Sequence, residues 1–233
     1  MLQIGQTAIV TGGGGGIGRA MAGALARAGM RVVLVGRDAA RLRHTAAALD
    51  AIPLVADVTD AADQARIAAA AGDALGVLVH GAGAYARGSV ATLDAAVWRR
   101  LEAVNLHGPL LLTSACLNQL RAARGQVVFI NSSAALQPAG AGMGAYAGGK
   151  AALRVAADAL RAEVNADGVR VLSIFPGRTD TPMQAAILAD EGRAAPPGTL
   201  LAPDDVAAMM LAALSLPDTA EVTEIVMRPM QKL

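Results

Sequence analysis

Thr11-Gly12-Gly13-Gly14-Gly15-Gly16-Ile17-Gly18 follows directly on a β-rich run, Thr7 to Val10, and leads directly into an Ala- and Leu-rich stretch of helical spacing, Ile17 to Ala28. Placed between a strand and a helix, a glycine run has a specific use. Glycines permit the tight turn and let the backbone approach a pyrophosphate, while the free N–H groups and positive dipole of the helix start favour its charge. A flexible glycine turn without a ligand is the other reading of the same residues, and the flanking elements favour the phosphate cradle.

Outward from this loop the chain keeps the same alternation. Candidate strands are Thr7 to Val10, Arg31 to Val35, Ile52 to Val55, Val77 to His80, Gln126 to Asn131, Arg170 to Phe175 and Glu224 to Met227. Between them the spacing predicts helices over Ile17 to Ala28, Asp38 to Leu49, Asp60 to Ala71, Asp94 to Arg121, Tyr146 to Asn165 and Asp204 to Ser215. Strands of this kind need right-handed crossovers, so the expected fold is α/β: a Rossmann-like, doubly wound parallel seven-stranded sheet with helices on both faces. No composition break or linker divides residues 1–233, which reads as one dinucleotide-binding and catalytic domain. The least regular stretch, Pro182 to Pro203, follows the sixth strand and is expected as a substrate-loop insertion over the carboxyl edge of the sheet.

Composition narrows the function classes. The chain is 54% hydrophobic and 17% charged with a net charge of +1, so it can bury a large core and is not a disordered polyelectrolyte. No uncharged apolar run reaches bilayer-spanning length, and Met1 to Gly12 lacks a basic segment followed by a long apolar core. The expectation is a soluble cytoplasmic protein with no membrane partner. Arginines are spread along the chain without a basic block, which argues against nucleic acid, and His44, His80 and His107 stand too far from one another and from other ligands to suggest a metal. The single cysteine, Cys116, reads as helix packing.

The end of the second strand is where a dinucleotide enzyme distinguishes its cofactors. A carboxylate there accepts ribose hydroxyls, whereas a guanidinium accepts a 2′-phosphate. Here stand Gly36 and Arg37, which favours NADP(H) over NAD(H). The rival is the carboxylate of Asp38, whose place before Ala39 and Ala40 reads better as a helix N-cap. Arg19, at a helix start, reads as solvated, with a cofactor phosphate as its alternative partner.

Tyrosine and lysine are scarce in this chain, at two each (Tyr85 and Tyr146, Lys150 and Lys232), yet they supply Tyr146-Ala147-Gly148-Gly149-Lys150. On a helix, residues four apart share a face, which brings an ammonium near a phenol and stabilises its anion. Lowering a phenol from its ordinary pKa to work near neutrality takes about 4 kcal/mol of preferential stabilisation. Arginine carries almost every other positive charge, so the lysine here points to a compact ammonium with donors that turn between a ribose and a phenol. Upstream, the fifth strand runs into Asn131-Ser132-Ser133, and a hydroxyl at that strand end faces the cofactor. Ser133 is preferred over Ser132 as the group that holds a substrate oxygen; a plain capping hydroxyl is the alternative.

Taken in order, these residues resemble the short-chain dehydrogenase/reductase family over nearly the whole chain. Gly12, Gly14, Gly15, Gly16, Ile17 and Gly18 look like its cofactor loop, Asp57-Val58 like its adenine contact, and Ala82-Gly83 like the close of its Asn-Asn-Ala-Gly segment. Asn105 in Val104-Asn105-Leu106 looks like its helix asparagine, and Pro176-Gly177 with Thr179 and Thr181 resembles its nicotinamide-binding loop. The resemblance implies catalysis by Asn105, Ser133, Tyr146 and Lys150. In reduction Tyr146 protonates the carbonyl oxygen, Ser133 steadies it, Lys150 contacts the nicotinamide ribose and lowers the pKa of Tyr146, and Asn105 helps hold a water-linked path to Lys150. The chain departs from the pattern at His80 and Gly81, which replace the paired asparagines, and in its tail, Ile225 to Met230, which is not glycine-rich.

These residues together imply an NADP(H)-dependent oxidoreductase acting on a small-molecule carbonyl or alcohol. Its substrate is expected to be a hydrophobic ketone or aldehyde, because the expected pocket wall is Tyr85, Leu136, Met143, Met183 and Ile187. Arg178 is expected at the surface, solvated or salt-bridged, with an anionic substrate group as its alternative partner. The alternative function is a dinucleotide-binding sensor or scaffold without turnover; such a protein is expected to have lost part of the catalytic set, and here all four positions are filled. A dehalogenase on the same fold is expected to lack Lys150 and the cofactor glycines. The long helices resemble those through which the family dimerises, so a homodimer or homotetramer is expected.

Overall fold

The computed structural model describes residues 4–92, 94–137 and 140–231; Met1 and Lys232 lie outside them. Seven strands form one parallel sheet: β1 (Thr7–Thr11), β2 (Arg31–Gly36), β3 (Ile52–Val55), β4 (Leu75–His80), β5 (Gln126–Ile130), β6 (Arg170–Pro176) and β7 (Glu224–Met227), in the order β3-β2-β1-β4-β5-β6-β7. The chain runs outward from β1 to β3 and then returns to place β4 on the other side of β1. That reversal sends successive crossovers to opposite faces and opens a crevice at the carboxyl ends of β1 and β4.

Alternating strand residues feed two cores. Ala8, Val10, Leu34, Val79 and Ile174 point to the face covered by α1 (Gly16–Arg27) and α9 (Pro203–Leu214), against Met21, Leu25 and Met210. Ile9, Val33, Leu78, Phe129 and Val171 point to the other, against Ile67 of α3 (Ala61–Ala70), Leu112 of α5 (Gly108–Ala115) and Leu153 of α7 (Gly144–Val164). Each such side chain, at or near 0% exposure, contributes about 1.5–3 kcal/mol through removal of apolar surface from water. Cys116 is part of this second core, and burial pushes its thiol up to about 12, so it is packing and not a reactive group. α2 (Ala39–Leu49) starts where Asp38 caps it, the carboxylate accepting from the Arg41 N–H at 3.0 Å, as its place in the sequence suggested.

Two stretches differ from the expectation. The helix expected over Asp94 to Arg121 is divided into α4 (Ala95–Glu102), a π turn at Ala103–His107, α5, and α6 (Leu117–Ala123) beyond Cys116. Pro109 is the physical reason for the π turn: it has no N–H to donate and its ring crowds the carbonyl four residues back, at Asn105, so the chain widens by one residue there. The stretch Pro182 to Pro203, expected as irregular, opens with α8 (Pro182–Asp190). Thr181 caps it by accepting from the Gln184 N–H at 3.1 Å, and Pro182 sits in the first turn, where a missing N–H costs nothing.

Candidate active site

The crevice is a cleft of about 780 Å³ whose wall gathers all the expected site residues. The glycine loop, Arg37, Asp57 and Val58 line one end, Ala82, Gly83, Asn105, Ser133, Tyr146 and Lys150 the centre, and Pro176, Gly177, Thr179 and Thr181 the side facing the glycines. Among the expected substrate contacts, Tyr85, Met143, Met183 and Ile187 stand on the wall, whereas Leu136 does not.

The floor is built by close approach of two strand ends. The Thr11 hydroxyl donates to Val79 O (3.3 Å) and accepts from the N–H groups of Gly81 and Ala82 (3.2 Å each), which pins β1 to the loop after β4. A Cβ on Gly12, whose φ is +67°, would lie 2.5 Å from Gly81 O, and a Cβ on Gly81 would lie 2.6 Å from Thr11 O. Both positions therefore need glycine. Gly81 thus belongs to the cradle, a role its departure from the asparagine pair concealed. His80, the other departure, is buried and stacks on Phe129 at 4.9 Å. Its Nε2 meets Thr113 Oγ1 at 2.8 Å, and because that hydroxyl donates to Pro109 O (2.8 Å), the imidazole nitrogen is the donor in the pair. This relay ties β4 to α5, so the sheet-bracing contact is replaced and not lost. Burial, with the nearby Lys150 charge, drives the His80 pKa down to about 3, so the ring is neutral at ordinary pH.

Above Gly14 and Gly15 the space is open: only the Arg41 and Leu42 side chains come within 4 Å of where a Cβ would sit. Arg41, in the first turn of α2, also lines the cleft with Arg37, and the sequence reading missed it; a second arginine just beyond the end of β2 was the signal. Arg37 lies 3.7 Å from Asp57, with side chains 60% and 34% exposed, a pair loose enough for the guanidinium to exchange partners. Asp57 is held below the usual carboxylate range: burial opposes this, but hydrogen bonds from Thr59 and the charges of Arg37 and Arg100 outweigh it. Two amide nitrogens on the wall, Asn131 Nδ2 and Gln184 Nε2, are buried with no protein partner. Open space over glycines, guanidinium groups at the end of β2 and unpaired donors fit a nicotinamide dinucleotide.

At the centre, α7 presents Tyr146 and Lys150 on one face. Lys150 is 4% exposed, its ammonium donates to Ile130 O at 2.8 Å, and burial pushes its pKa down to about 8. Burial raises the pKa of Tyr146, the Ser132 hydroxyl partly offsets this, and Tyr85 adds to the rise. Ser132 and Ser133 both line the cleft with Tyr146, and the Ser132 hydroxyl is close enough to favour the phenolate. Ser132 Oγ also accepts from the Ala134 N–H (3.2 Å), which leaves its own proton free to point at the phenol oxygen. Asn105, on the π turn, clamps Ala84: Nδ2 donates to Ala84 O (2.8 Å) and Oδ1 accepts from Ala84 N–H (2.9 Å). What its side chain does is fix the loop that carries Tyr85, whose ring meets that of Tyr146 edge-on at 5.2 Å. Arg178 is paired with Glu191 in the cleft wall at 2.9 Å, salt-bridged as one of its readings had it but half-buried and away from the open surface.

Comparison with known proteins agrees with this geometry. The short chain dehydrogenase family model matches residues 6–192. An uncharacterised short-chain type dehydrogenase/reductase of Sinorhizobium fredii is 32% identical over 230 residues, 96% of this chain and 91% of the relative. An uncharacterised oxidoreductase of Staphylococcus aureus is 31% identical over 231 residues, 96% of this chain and 97% of the relative. Among solved structures, an alcohol dehydrogenase from the archaeon Thermococcus sibiricus complexed with 5-hydroxy-NADP superposes with a TM-score of 0.87 at 26% identity, over 98% of each chain. A putative NAD(P)-dependent gluconate 5-dehydrogenase from Beutenbergia cavernae with bound NADP gives 0.84 at 32% identity, over 96% of this chain and 95% of the other. The chain belongs to the short-chain dehydrogenase/reductase family of oxidoreductases.

Proposed function

We propose that this oxidoreductase uses NADP(H) to reduce a ketone or aldehyde of largely apolar character, with Tyr146 as general acid. The observation that carries the reading is the pair on α7: a phenol on the cleft wall, one helical turn from a buried ammonium fixed to Ile130 O. The NADP-bound and 5-hydroxy-NADP-bound structures of relatives support the cofactor, and Arg37 with Arg41 supports the phosphorylated form.

In this reading the glycine loop and the start of α1 hold the pyrophosphate, Arg37 and Arg41 hold the 2′-phosphate, Asp57 and Val58 flank the adenine, and Ala82 and Gly83 pass beneath the dinucleotide. Pro176, Gly177, Thr179 and Thr181 hold the nicotinamide end. When bound, the nicotinamide supplies hydride in reduction and takes it up in oxidation. Tyr146 gives its proton to the substrate oxygen as charge develops there, and Ser132 donates to the phenol oxygen as the proton leaves. Ser133 holds the substrate oxygen, and Lys150 contacts the ribose and compensates the developing phenolate. Asn105 acts by positioning the loop of Ala84 and Tyr85. Met143, Met183 and Ile187 exclude water from the reacting carbonyl. The protein is read as a cytoplasmic homodimer or homotetramer; among the described residues no helix is long and apolar enough to cross a membrane.

Titration with NADPH and with NADH, followed by turnover of ketones and aldehydes by wild type and Tyr146→Phe, tests the reading. The expected result is tighter NADPH binding, retained in the variant, with turnover reduced about 10²- to 10⁴-fold. Tight binding with no turnover of any carbonyl compound by the wild type would instead point to a dinucleotide sensor, and binding of neither nucleotide would refute both.

A further inference from the structure

The substrate end of the cleft carries charge as well as apolar wall. Arg87, Arg178 and Glu191 line it together with Tyr85 and Met143. Glu191 already has cationic partners: Arg178 Nη2 donates to Oε1 at 3.0 Å, Nη1 forms an ion pair with Oε2 at 2.9 Å, and Arg193 stands 3.9 Å from the same carboxylate. Arg87 is different. Its Nη2 donates to the neutral carbonyl of Ala141 at 3.4 Å, and among the described residues no carboxylate lies within ion-pair distance of it. Its backbone is well fixed, since the next residue, Gly88, donates its N–H to Gly142 O at 3.0 Å and Asn105 clamps Ala84 three residues before. Arg87 lines the cleft together with Tyr85 and Glu191. Tyr85 in turn packs edge-on against Tyr146, and its hydroxyl donates to Met143 Sδ at 3.3 Å. Arg178 and Arg193 both stand against Glu191, and among the described residues Arg87 has no carboxylate partner.

We infer that the substrate is a carbonyl compound bearing an anionic group, a carboxylate or phosphate, and that Arg87 is the specificity-determining residue that holds this group while the carbonyl lies against Tyr146. The inference rests on the reading of the cleft as a carbonyl-reducing site. In the reaction the carbonyl carbon gains hydride from the reduced nicotinamide, the carbonyl oxygen gains the Tyr146 proton, the C=O π bond is lost, and the nicotinamide is oxidised. The anionic group is unchanged and serves to orient the molecule, with the apolar stretch between it and the carbonyl passing along Met143 and Met183.

The test uses levulinate, its longer keto-acid homologues and their methyl esters as substrates, and the corresponding hydroxy acids as non-reacting ligands of the NADPH-loaded protein. Wild type is compared with Arg87→Gln and Arg87→Lys, with NADPH affinity as the control for folding and cofactor binding. The expected kcat/KM ratio of acid to ester is about tenfold or more in the best-fitting length, falls towards one in Arg87→Gln through loss on the acids alone, and is partly restored in Arg87→Lys. A loop-pinning role would lower acids and esters together and would leave the ratio unchanged, which overturns the inference. Inorganic phosphate and the hydroxy acids provide the second arm: their binding should weaken about tenfold in Arg87→Gln, with phosphate the better competitor if the natural group is a phosphate. If carbonyl turnover is absent altogether while hydroxy-acid binding still depends on Arg87, the proposed reaction fails and the anion site stands. If esters turn over and no anion binding depends on Arg87, the reverse holds.

Discussion

Replacing Lys150 by methionine should make the pH dependence of stability flatter in the alkaline range. An ammonium that is 4% exposed and pushed from 10.5 down to about 8 is less favourable in the folded chain than in the unfolded one. The sign is that of a depressed base. Below about pH 8 both states carry the proton and the penalty is fully present, whereas between about pH 8 and 10.5 the folded state releases it first and the penalty is relieved as pH rises. The whole window corresponds to roughly 3 kcal/mol, of which about 2 kcal/mol falls between about pH 7 and about pH 9.5. Methionine keeps the apolar stem and removes the charge. It also strips Ile130 O of its donor, at about 1–3 kcal/mol, but that cost does not vary with pH and cancels in the slope. Urea unfolding of the protein without ligand, followed by far-UV circular dichroism across this range, measures the difference between wild type and Lys150→Met. Wild type should gain about 2 kcal/mol on the variant as pH rises. A difference that stays constant, or that moves the other way, would show that the ammonium is compensated in the fold and that the reasoning from burial is wrong.

Gly12→Ala should lower NADPH affinity and stability together, because its Cβ would press on Gly81 O at 2.5 Å with φ at +67°; a thermal melt and a fluorescence titration should both shift, by more than about 1 kcal/mol in stability. His80→Asn should move acid unfolding to lower pH, since the native imidazole, at about 3, stays neutral while the unfolded one charges near 6.5, so wild type loses stability as pH falls through that interval. Acid titration of both proteins checks this, and coincident curves would count against the buried neutral ring. Arg41→Ala should weaken NADPH about tenfold with little effect on NADH, readable by calorimetry; equal losses for the two would assign Arg41 to the helix cap and not to the phosphate.

The sheet was legible because its strands are short apolar runs bounded by turn residues, and the cradle because a glycine run between strand and helix has few other uses. Tyr146 and Lys150 were legible for a different reason: both residue types are rare in this chain. Other features depend on which atoms meet in space. The π turn follows from Pro109 acting on a carbonyl four residues back, inside a stretch whose helical spacing is otherwise unbroken. α8 was hidden behind the prolines at either end of its region, although Pro182 begins a helix and does not break one. Two adjacent serines at a strand end look alike in sequence, and the structure places both Ser132 and Ser133 on the cleft wall, with Ser132 Oγ also capping the Ala134 N–H. The raised pKa of Tyr146 could not be read from its spacing to Lys150, because it depends on how much protein covers the ring.

The contact between Gly12 and Gly81 bears on how this chain can change. Restoring residues common among relatives is a standard route to a sturdier protein, and by that logic asparagine would be an obvious substitution at position 81. Here the new side chain would begin 2.6 Å from the Thr11 carbonyl, so the substitution is penalised unless β1 first retreats. Each strand end has become the permissive condition for the other, and the two positions are open to change only as a pair. A change at position 81 alone is therefore disfavoured, whatever residue replaces the glycine.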